Sequence, residues 1–207
     1  MVEQLRLALD ALGIDWVLWL LLGLSVVSLA IAGERWWYFR VNRASLDDLR
    51  AALDKALGGA HEPLNALRGL EAEVLREAVE HMEHGPDALE EIVAAALSQA
   101  RAKFDQRLGF LGTLGNNAPF IGLFGTVLGI ISAFNSLKSG LSGDSDQNAL
   151  IMGSISEALV ATAVGLLVAI PAVIAFNQFK GSIRVRAGQA GSLAHRVLAH
   201  AKSTKAE

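Results

Sequence analysis

The amino-acid sequence predicts an all-α membrane protein with three transmembrane helices and long helices that extend into a cytoplasmic helical bundle. The first observation is that residues 108–137 and 158–179 contain no Asp, Glu, Lys or Arg. The second is a shorter apolar stretch at 16–33. A helix needs roughly 20 apolar residues to cross a bilayer, so each stretch is close to the length of a span. The third is that 52% of the 207 residues are hydrophobic, an excess concentrated in these blocks.

The stretch at 16–33 has two interpretations, a signal peptide and a retained span. Arg6 is the only basic residue before it, and no small-residue cleavage site follows it, so the features of a signal peptide are missing. Aromatic residues flank both of its ends, as they do in anchored spans: Trp16, Trp36, Trp37 and Tyr38. We therefore predict a retained first span.

The distribution of Lys and Arg predicts the orientation of the chain. Of the 18 basic residues, ten lie in 34–107 and six in 180–207, and only Arg6 and Lys138 lie elsewhere. Loops rich in Lys and Arg stay in the cytoplasm. The predicted order is periplasmic N-terminus 1–15, first span 16–33, cytoplasmic helical region 34–107, second span 108–137, periplasmic loop 138–156, third span 157–179 and cytoplasmic C-terminal helix or tail 180–207. We expect the Gly/Ser/Asp-rich part of the loop to be mobile.

Capping residues divide the cytoplasmic region into predicted helices. Ser45 is a favourable N-cap, and Gly58-Gly59 a favourable end, for a first helix. Pro63 begins a second run that continues to about His84.

Residues 86–137 are predicted to form one long helix that passes from the cytoplasm into the membrane. At 1.5 Å per residue it would measure roughly 78 Å, against a hydrocarbon core of about 30 Å, so about half would stand outside the bilayer. Pro119 is expected to bend this helix or to leave a carbonyl group without a donor.

Small residues recur at spacings of three or four along the second and third spans and form two smooth stripes. The stripes are Gly115, Ala118, Gly122, Thr126, Gly129 and Ala133 in the second span, and Ala158, Thr162, Gly165, Ala169 and Ala172 in the third. Such stripes let helix backbones approach closely in lipid. Packing within one chain is one explanation. Because a three-helix monomer has few helices with which to cover two long stripes, we also infer oligomerisation.

Three polar residues carry the functional question: Thr126, Thr162 and Glu157. An isolated threonine in a membrane helix commonly bonds a carbonyl of its own helix. Glu157 lies near the outer end of the third span, where it would act as a helix N-terminal charge or take part in proton passage. No carboxylate lies at mid-depth in any of the spans.

The composition argues against an enzyme. The chain has no Cys, and its five His residues all lie in the predicted cytoplasmic segments. His81 and His84 are three residues apart, so zinc is conceivable, but a solvated helix face is the stronger interpretation. No phosphate-binding glycine loop follows a strand, and a net charge of −3 does not suggest nucleic acid. We expect no catalytic residue, metal or cofactor.

Two segments resemble the MotA/TolQ/ExbB proton-channel family, on its ExbB/TolQ side. They are Ala-Pro-Phe-Ile-Gly-Leu-Phe-Gly-Thr-Val-Leu-Gly-Ile at 118–130 and Ile-Ser-Glu-Ala-Leu-Val-Ala-Thr-Ala-Val-Gly-Leu-Leu-Val-Ala-Ile-Pro-Ala-Val at 155–173. The resemblance is firm over about 105–180. The first span and the 45–85 region match in kind only.

The resemblance implies a pentamer around a central pore that holds the single spans of two copies of an ExbD/TolR-like partner. That partner would carry the protonatable Asp, and proton flow would drive rotation. By motif position, Thr126, Thr162 and Glu157 would belong to the proton pathway. The residues implied in helix packing and kinks are Pro119, Gly122, Gly125, Gly129, Gly165 and Pro171.

The resemblance leaves the pathway open between TonB-type uptake, the Tol-Pal system with TolA, and gliding motility. A passive membrane scaffold and a stand-alone ion channel are the alternatives. Membrane lipids are a further expected partner, because several basic residues would lie near anionic headgroups, although ordinary topology anchors explain them equally well. These residues are Arg101, Lys103, Arg107, Lys180, Arg184 and Arg186.

Overall fold

The structure is a computed structural model that describes residues 15–139 and 145–204. Over this part of the chain it consists of helices without strands. In chain order they are α1 (Asp15–Val41), α2 (Leu46–Leu57), α3 (Glu62–Ala66), α4 (Leu70–Glu80), a 3₁₀ turn (Met82–His84), α5 (Pro86–Asp105), α6 (Leu108–Ser139) and α7 (Ser145–Thr204). The predicted N-terminal segment before Asp15 and the centre of the predicted periplasmic loop lie outside the described residues.

Three of these helices, α1, α6 and α7, are long and apolar enough to cross a membrane. This confirms the predicted class of an all-α protein with three apolar helices of spanning length. The described residues fall into two compact units. Of the described residues, the span unit comprises those up to Ala32 and those within Gly109–Phe176, and the helical unit comprises Gly33–Leu108 and those from Asn177 onward.

The span unit has a core of small and branched apolar side chains. From α1, Val17 and Leu21 are fully buried and pack with residues of the other two long helices. The same cluster also contains Leu114, Ala118, Leu128, Val168, Ala169 and Ala172. Many larger side chains of this unit point outward, among them Phe120, Phe134 and Leu167. This pattern is the reverse of a soluble bundle and suits a unit whose outer surface meets lipid or other apolar helices.

The helical unit is built from amphipathic helices with an ordinary apolar core. On α2, Leu49 and Leu53 are buried one turn apart, and Leu70, Val74 and Leu75 do the same on α4. Periodic apolar positions on short helices can be buried only by packing against neighbouring helices. The helical unit therefore has a core of its own, as the sequence pattern predicts.

The second predicted helix, from Pro63 to about His84, is wrong in one respect. The structure breaks it between α3 and α4, and Gly69 adopts φ = 133°. A side chain is strained in this conformation, and a Cβ atom on Gly69 would lie only 3.0 Å from the carbonyl oxygen of Asn42. The break follows from this close backbone approach, which apolar periodicity does not reveal.

The predicted single helix at 86–137 is also wrong, because it ends at Asp105 and a new helix begins at Leu108. Arg107 adopts φ = 63°, the left-handed conformation that costs a non-glycine residue energy. Side chains from elsewhere in the helical unit hold this turn. Arg35 donates to the carbonyl of Phe104 at 3.0 Å, and Lys180 donates to the carboxylate of Asp105 at 2.8 Å.

The ends of the other helices agree with the capping prediction in part. Ser45 occupies the N-cap position of α2 with an extended backbone, but its side chain makes no capping hydrogen bond. Gly58 ends the same helix, and Gly59 follows with φ = 94°. The helix α7 begins at Ser145, well inside the predicted loop 138–156, and runs for 60 residues.

Candidate functional site

The centre of the span unit is a close crossing of α6 and α7 at two glycines. A Cβ atom on Gly122 would lie 2.7 Å from the carbonyl oxygen of Ala161 and 3.2 Å from the Cα of Gly165. A Cβ atom on Gly165 would lie 2.7 Å from the carbonyl oxygen of Ala118. Real Cβ atoms do not approach backbone atoms so closely, so the two backbones meet only because both residues lack a side chain.

This crossing assigns the small-residue stripes to packing within one chain. Nine of the eleven stripe residues are buried in the described span unit, and the two threonines are half-buried. The stripes on α6 and α7 therefore supply no argument of their own for a second chain. Of the two explanations weighed from the sequence, intramolecular packing is the one the structure favours.

The helix α1 packs against one side of the crossing. A Cβ atom on Gly125 would lie 2.8 Å from that of Ala161 and 3.3 Å from Val17 Cγ1. The ring of Trp16 meets Phe124 edge-on, with centroids 6.2 Å apart. All three spans thus contribute to the surroundings of the motif Gly-Leu-Phe-Gly-Thr at 122–126.

The two threonines differ in what their hydroxyl groups do. The Oγ1 of Thr126 donates to the carbonyl of Leu123 in its own helix at 2.7 Å. The Oγ1 of Thr162 is buried and has no hydrogen-bond partner among the described residues. A buried hydroxyl without a partner costs about 1–3 kcal/mol. The structure therefore satisfies Thr126 locally and leaves Thr162 with unused donor and acceptor capacity.

Thr162 lies directly at the glycine crossing. A Cβ atom on Gly122 would be 3.0 Å from the Cα of Thr162. The unpaired hydroxyl is therefore carried by a residue whose backbone is in close contact with α6.

Glu157 is exposed and lies on α7 directly before the stripe residue Ala158. The helix begins twelve residues earlier, at Ser145. The interaction of a charge with the helix dipole falls off within the first turn, so the interpretation of Glu157 as a helix N-terminal charge is wrong. An exposed carboxylate here is available to a partner or to water.

The remaining predicted residues lie within the long helices. Pro119 and Pro171 are inside α6 and α7, which continue through both prolines. Each proline lacks an N–H, so the carbonyl groups of Gly115 and Leu167 lose their helical donors. Gly129 is buried. The polar residue Asn117, whose role the sequence leaves open, donates to the carbonyl of Thr113 at 2.7 Å and lies on an exposed face of α6.

Sequence reasoning missed a second group of functional interest, the buried arginines of the helical unit. Arg35 is 3% exposed, binds the carbonyls of Phe104 and Lys103, and lies 4.6 Å from the ring centroid of Tyr38. Arg186 donates to the carbonyls of Asn42 and Phe39, at 2.7 and 3.2 Å. Each caps the C-terminal end of another helix. The sequence shows only a basic residue near the end of a span, which resembles an ordinary topology anchor.

The electrostatics of the helical unit follow from these contacts. Burial lowers the pKa of Arg186, although the nearby charge of Glu71 opposes this. A hydrogen bond of 2.6 Å to Glu73 raises the pKa of Lys103, against some desolvation.

A surface groove of about 970 Å³ lies in the helical unit between α3, α4 and α5. Its polar lining includes His61, Glu73, Glu77 and Lys103. None of the predicted site residues borders it. The groove therefore lies apart from the residues of the candidate proton pathway. We take the pathway as the candidate functional site, because its chemistry rests on specific buried groups.

Comparison with known proteins places these residues in a family. The model of the MotA/TolQ/ExbB proton channel family matches residues 66–190. The ExbB biopolymer transport protein of Xanthomonas campestris pv. campestris is 32% identical over 181 residues, which cover 74% of this chain and 70% of that protein. The chain belongs to the MotA/TolQ/ExbB proton channel family.

Two further relatives are similar over a shorter part of the chain. The Tol-Pal system protein TolQ of Pseudomonas aeruginosa is 42% identical over 108 residues, 50% of this chain and 46% of that protein. The ExbB protein of Neisseria gonorrhoeae is 43% identical over 100 residues, 48% of this chain and 44% of that protein. The matched segments thus span less than half the length of these two relatives.

The family match covers the candidate pathway and leaves the first span outside. Thr126, Thr162 and Glu157 all lie within the matched residues, as do α4, α5 and α6. The match and the three apolar helices together make this a channel-family protein of the inner membrane.

Proposed function

We propose that this chain is the multi-pass subunit of a motor driven by the proton-motive force, similar to ExbB and TolQ. It would form a pentameric pore around an ExbD/TolR-like single-span partner and pass the energy of proton flow to an envelope process. The observation that carries the proposal is the hydroxyl of Thr162, buried at the glycine crossing and without a partner. No side chain of the apolar stretches 108–137 and 158–179 can ionise to carry a proton at mid-membrane. A protonatable group supplied by a second protein would complete the pathway.

The other predicted residues take roles that follow from their contacts. Glu157, exposed on α7, would set the negative potential at the outer entrance. Thr126 would line the pore while its hydroxyl stays bonded to Leu123. The glycines and prolines of the pathway helices would keep the crossing close and the backbone carbonyls accessible. The outward apolar side chains of α6 and α7 supply the surface on which neighbouring copies would assemble.

The names of the relatives support two pathways. TolQ belongs to the Tol-Pal system, and ExbB is a biopolymer transport protein. The matched segments of about half the chain are 42% and 43% identical to these two proteins, so identity does not choose between the branches. We propose energy transfer to TonB-type uptake, to a Tol-Pal system with TolA, or to gliding machinery, with the N-terminus periplasmic and the C-terminus cytoplasmic.

The test replaces Thr162 and compares the purified complex with the wild type. The full chain is isolated from its native host by an affinity tag, the co-purified single-span protein is identified, and the complex is placed in liposomes for proton-flux measurement. We expect Thr162→Ala to assemble normally and to lose at least tenfold in flux, equivalent to about 1.4 kcal/mol. Thr162→Ser, which keeps the hydroxyl, should retain most of the flux.

Thr126→Ala is the matched control, because its hydroxyl is already bonded within its own helix. We expect a smaller loss of flux for this variant than for Thr162→Ala. Full flux in Thr162→Ala would contradict the role of this hydroxyl in the proton pathway, and the absence of flux from the wild-type complex would favour a passive scaffold. Flux from the chain alone, without any co-purified partner, would favour a stand-alone ion channel.

A further inference from the structure

Two exposed tryptophans and one arginine lie together on α1, immediately after its apolar stretch. Trp36 is 55% exposed and Trp37 is 65% exposed. Arg40 follows at spacings of three and four residues, which places it beside both rings on the surface of the helix. Its guanidinium carbon lies 5.2 Å from the centroid of the Trp36 ring. Two apolar rings and an adjacent cation are thus exposed together on the surface of the helical unit.

Most of the neighbouring cations are already bound within the protein. Arg35 and Arg186 bind backbone carbonyls, and Lys103 pairs with Glu73. Arg107 pairs with Glu34, and Lys180 with Asp105. Four of the six basic residues expected near lipid headgroups therefore have partners within the protein.

Arg40 differs from these cations. Within the part of the chain that the structure describes, Arg40 makes no ion pair or hydrogen bond. Its cation–π contact there is with the face of Trp36. A guanidinium group has five N–H donors arranged for bidentate binding of phosphate. Arg40 therefore keeps its full capacity to bind an anion.

The position along α1 identifies the kind of anion. From Trp16 to Trp36 the helix rises roughly 30 Å, the thickness of the hydrocarbon core, and Arg40 lies about 6 Å further along. Tryptophan prefers the boundary between hydrocarbon and headgroups, and a cation just beyond it lies at the level of the lipid phosphates. Free phosphate would gain little from two exposed indoles, whereas a phospholipid meets both the rings and the guanidinium.

We propose that Trp36, Trp37 and Arg40 form a binding site for an anionic phospholipid at the membrane interface. The guanidinium of Arg40 binds the phosphate group, and the two indoles contact the glycerol and the upper acyl chains. The inference does not require the motor function, and the proposed orientation decides only that the lipid lies in the cytoplasmic leaflet. There the negative surface charge raises the supply of such lipids.

The test measures how strongly brominated lipids quench the tryptophan fluorescence of the full chain in phosphatidylcholine nanodiscs. Brominated phosphatidylglycerol is compared with brominated phosphatidylcholine at equal content. We expect an effective affinity for phosphatidylglycerol about fivefold higher, the contribution of one basic residue near a charged surface. Trp16 and Trp19 lie toward the other end of α1, and their quenching should be the same in every variant.

Two matched variants decide the outcome. Arg40→Gln should remove the preference for phosphatidylglycerol, whereas Arg50→Gln, an equal charge change at an arginine paired with Asp47, should keep it. Equal quenching by both lipids in the wild type, or an unchanged preference in Arg40→Gln, would overturn the proposal. Loss of the preference on adding millimolar inorganic phosphate would show a site for free anions and would overturn the lipid assignment. Failure of the Thr162 test would leave these expectations unchanged.

Discussion

At the scale of single residues, the two pathway threonines show how much an identical side chain depends on its surroundings. Thr126 and Thr162 both belong to the small-residue stripes, yet only Thr126 bonds a carbonyl of its own helix. The hydroxyl of Thr162 is buried next to Gly122 and lacks a partner. A buried polar group usually finds a partner, so an unpaired one at a motif position points to a ligand or second protein that supplies it.

Arg107 is the clearest case of competing energies at one residue. Its left-handed backbone costs a side chain about 1–2 kcal/mol. Its ion pair with Glu34 joins side chains that are 62% and 44% exposed, and such pairs contribute only about 0–1 kcal/mol. The backbone cost is the larger effect. The residue is held in place by the neighbouring contacts of Asp105 and Phe104 and not by its own ion pair.

We therefore predict that Arg107→Gly is neutral or stabilises the protein by up to about 1 kcal/mol, because glycine adopts this backbone freely. Arg107→Ala keeps the strain and loses the ion pair, so it should be slightly less stable than the wild type. Thermal unfolding of the detergent-purified chain measures both. A clear loss of stability in Arg107→Gly would mean that the ion pair is the dominant contact at this turn.

At the scale of helices, the crossing of α6 and α7 depends on the absence of two side chains. Any Cβ atom at Gly165 meets the backbone oxygen of Ala118, which cannot move without moving its helix. Gly153 lies on the same helix α7, and a Cβ atom there would have no atom within 4 Å. The two positions separate the effect of packing from the effect of helix propensity.

Gly165→Ala should destabilise the chain by about 1–3 kcal/mol, the usual cost of overpacking a tight contact. Gly153→Ala should be neutral or gain about 0.5–1 kcal/mol, since alanine is the better helix former. The melting temperature of the full chain in detergent checks both changes. Similar effects at the two positions would mean that the helices do not cross at Gly122 and Gly165.

Sequence patterns predicted the helices of the span unit well and their interruptions poorly. The apolar stretches at 16–33, 108–137 and 158–179 each lie within one long helix, because chain hydrophobicity is a local property. The turn at Gln106-Arg107 contains neither Gly nor Pro. It is stabilised by Arg35 and Lys180, residues distant in sequence, so no local signal marks it.

The candidate site was likewise predicted from the sequence only in part. Its residue types and spacing were recognisable from two motifs, and the family match supports that recognition. The pattern did not reveal that the stripes face each other, since a smooth helix face fits a neighbouring chain as well as a neighbouring helix. Nor did it separate Thr126 from Thr162, because hydrogen bonding depends on rotamer and packing.

At the scale of the whole molecule, the orientation in the membrane is a prediction of charge alone. Sixteen of the 18 basic residues fall in segments that the three spans place on one side. Because the chain has no Cys, single cysteines can report on each side without background labelling. Asp15 and Asp48 form a matched pair, as both are exposed acidic residues in the first turn of a helix.

We expect Asp15→Cys to react with a membrane-impermeant maleimide in cells whose outer membrane alone is permeabilised. Asp48→Cys should react only after the inner membrane is opened as well, because 34–107 is predicted to be cytoplasmic. Labelled protein is quantified by gel shift. The reverse pattern would invert the orientation and would move the proposed lipid site to the periplasmic leaflet.

The sequence by itself determined the class of the protein, its three apolar helices and its family. These properties follow from composition along the chain and from short motifs, and neither requires knowledge of distant contacts. Only the tertiary structure decided which faces of the helices meet, where the long helix breaks, and which threonine hydroxyl stays unpaired. Each of these depends on residues far apart in sequence, since close backbone approach and buried hydrogen bonding are properties of the packed chain.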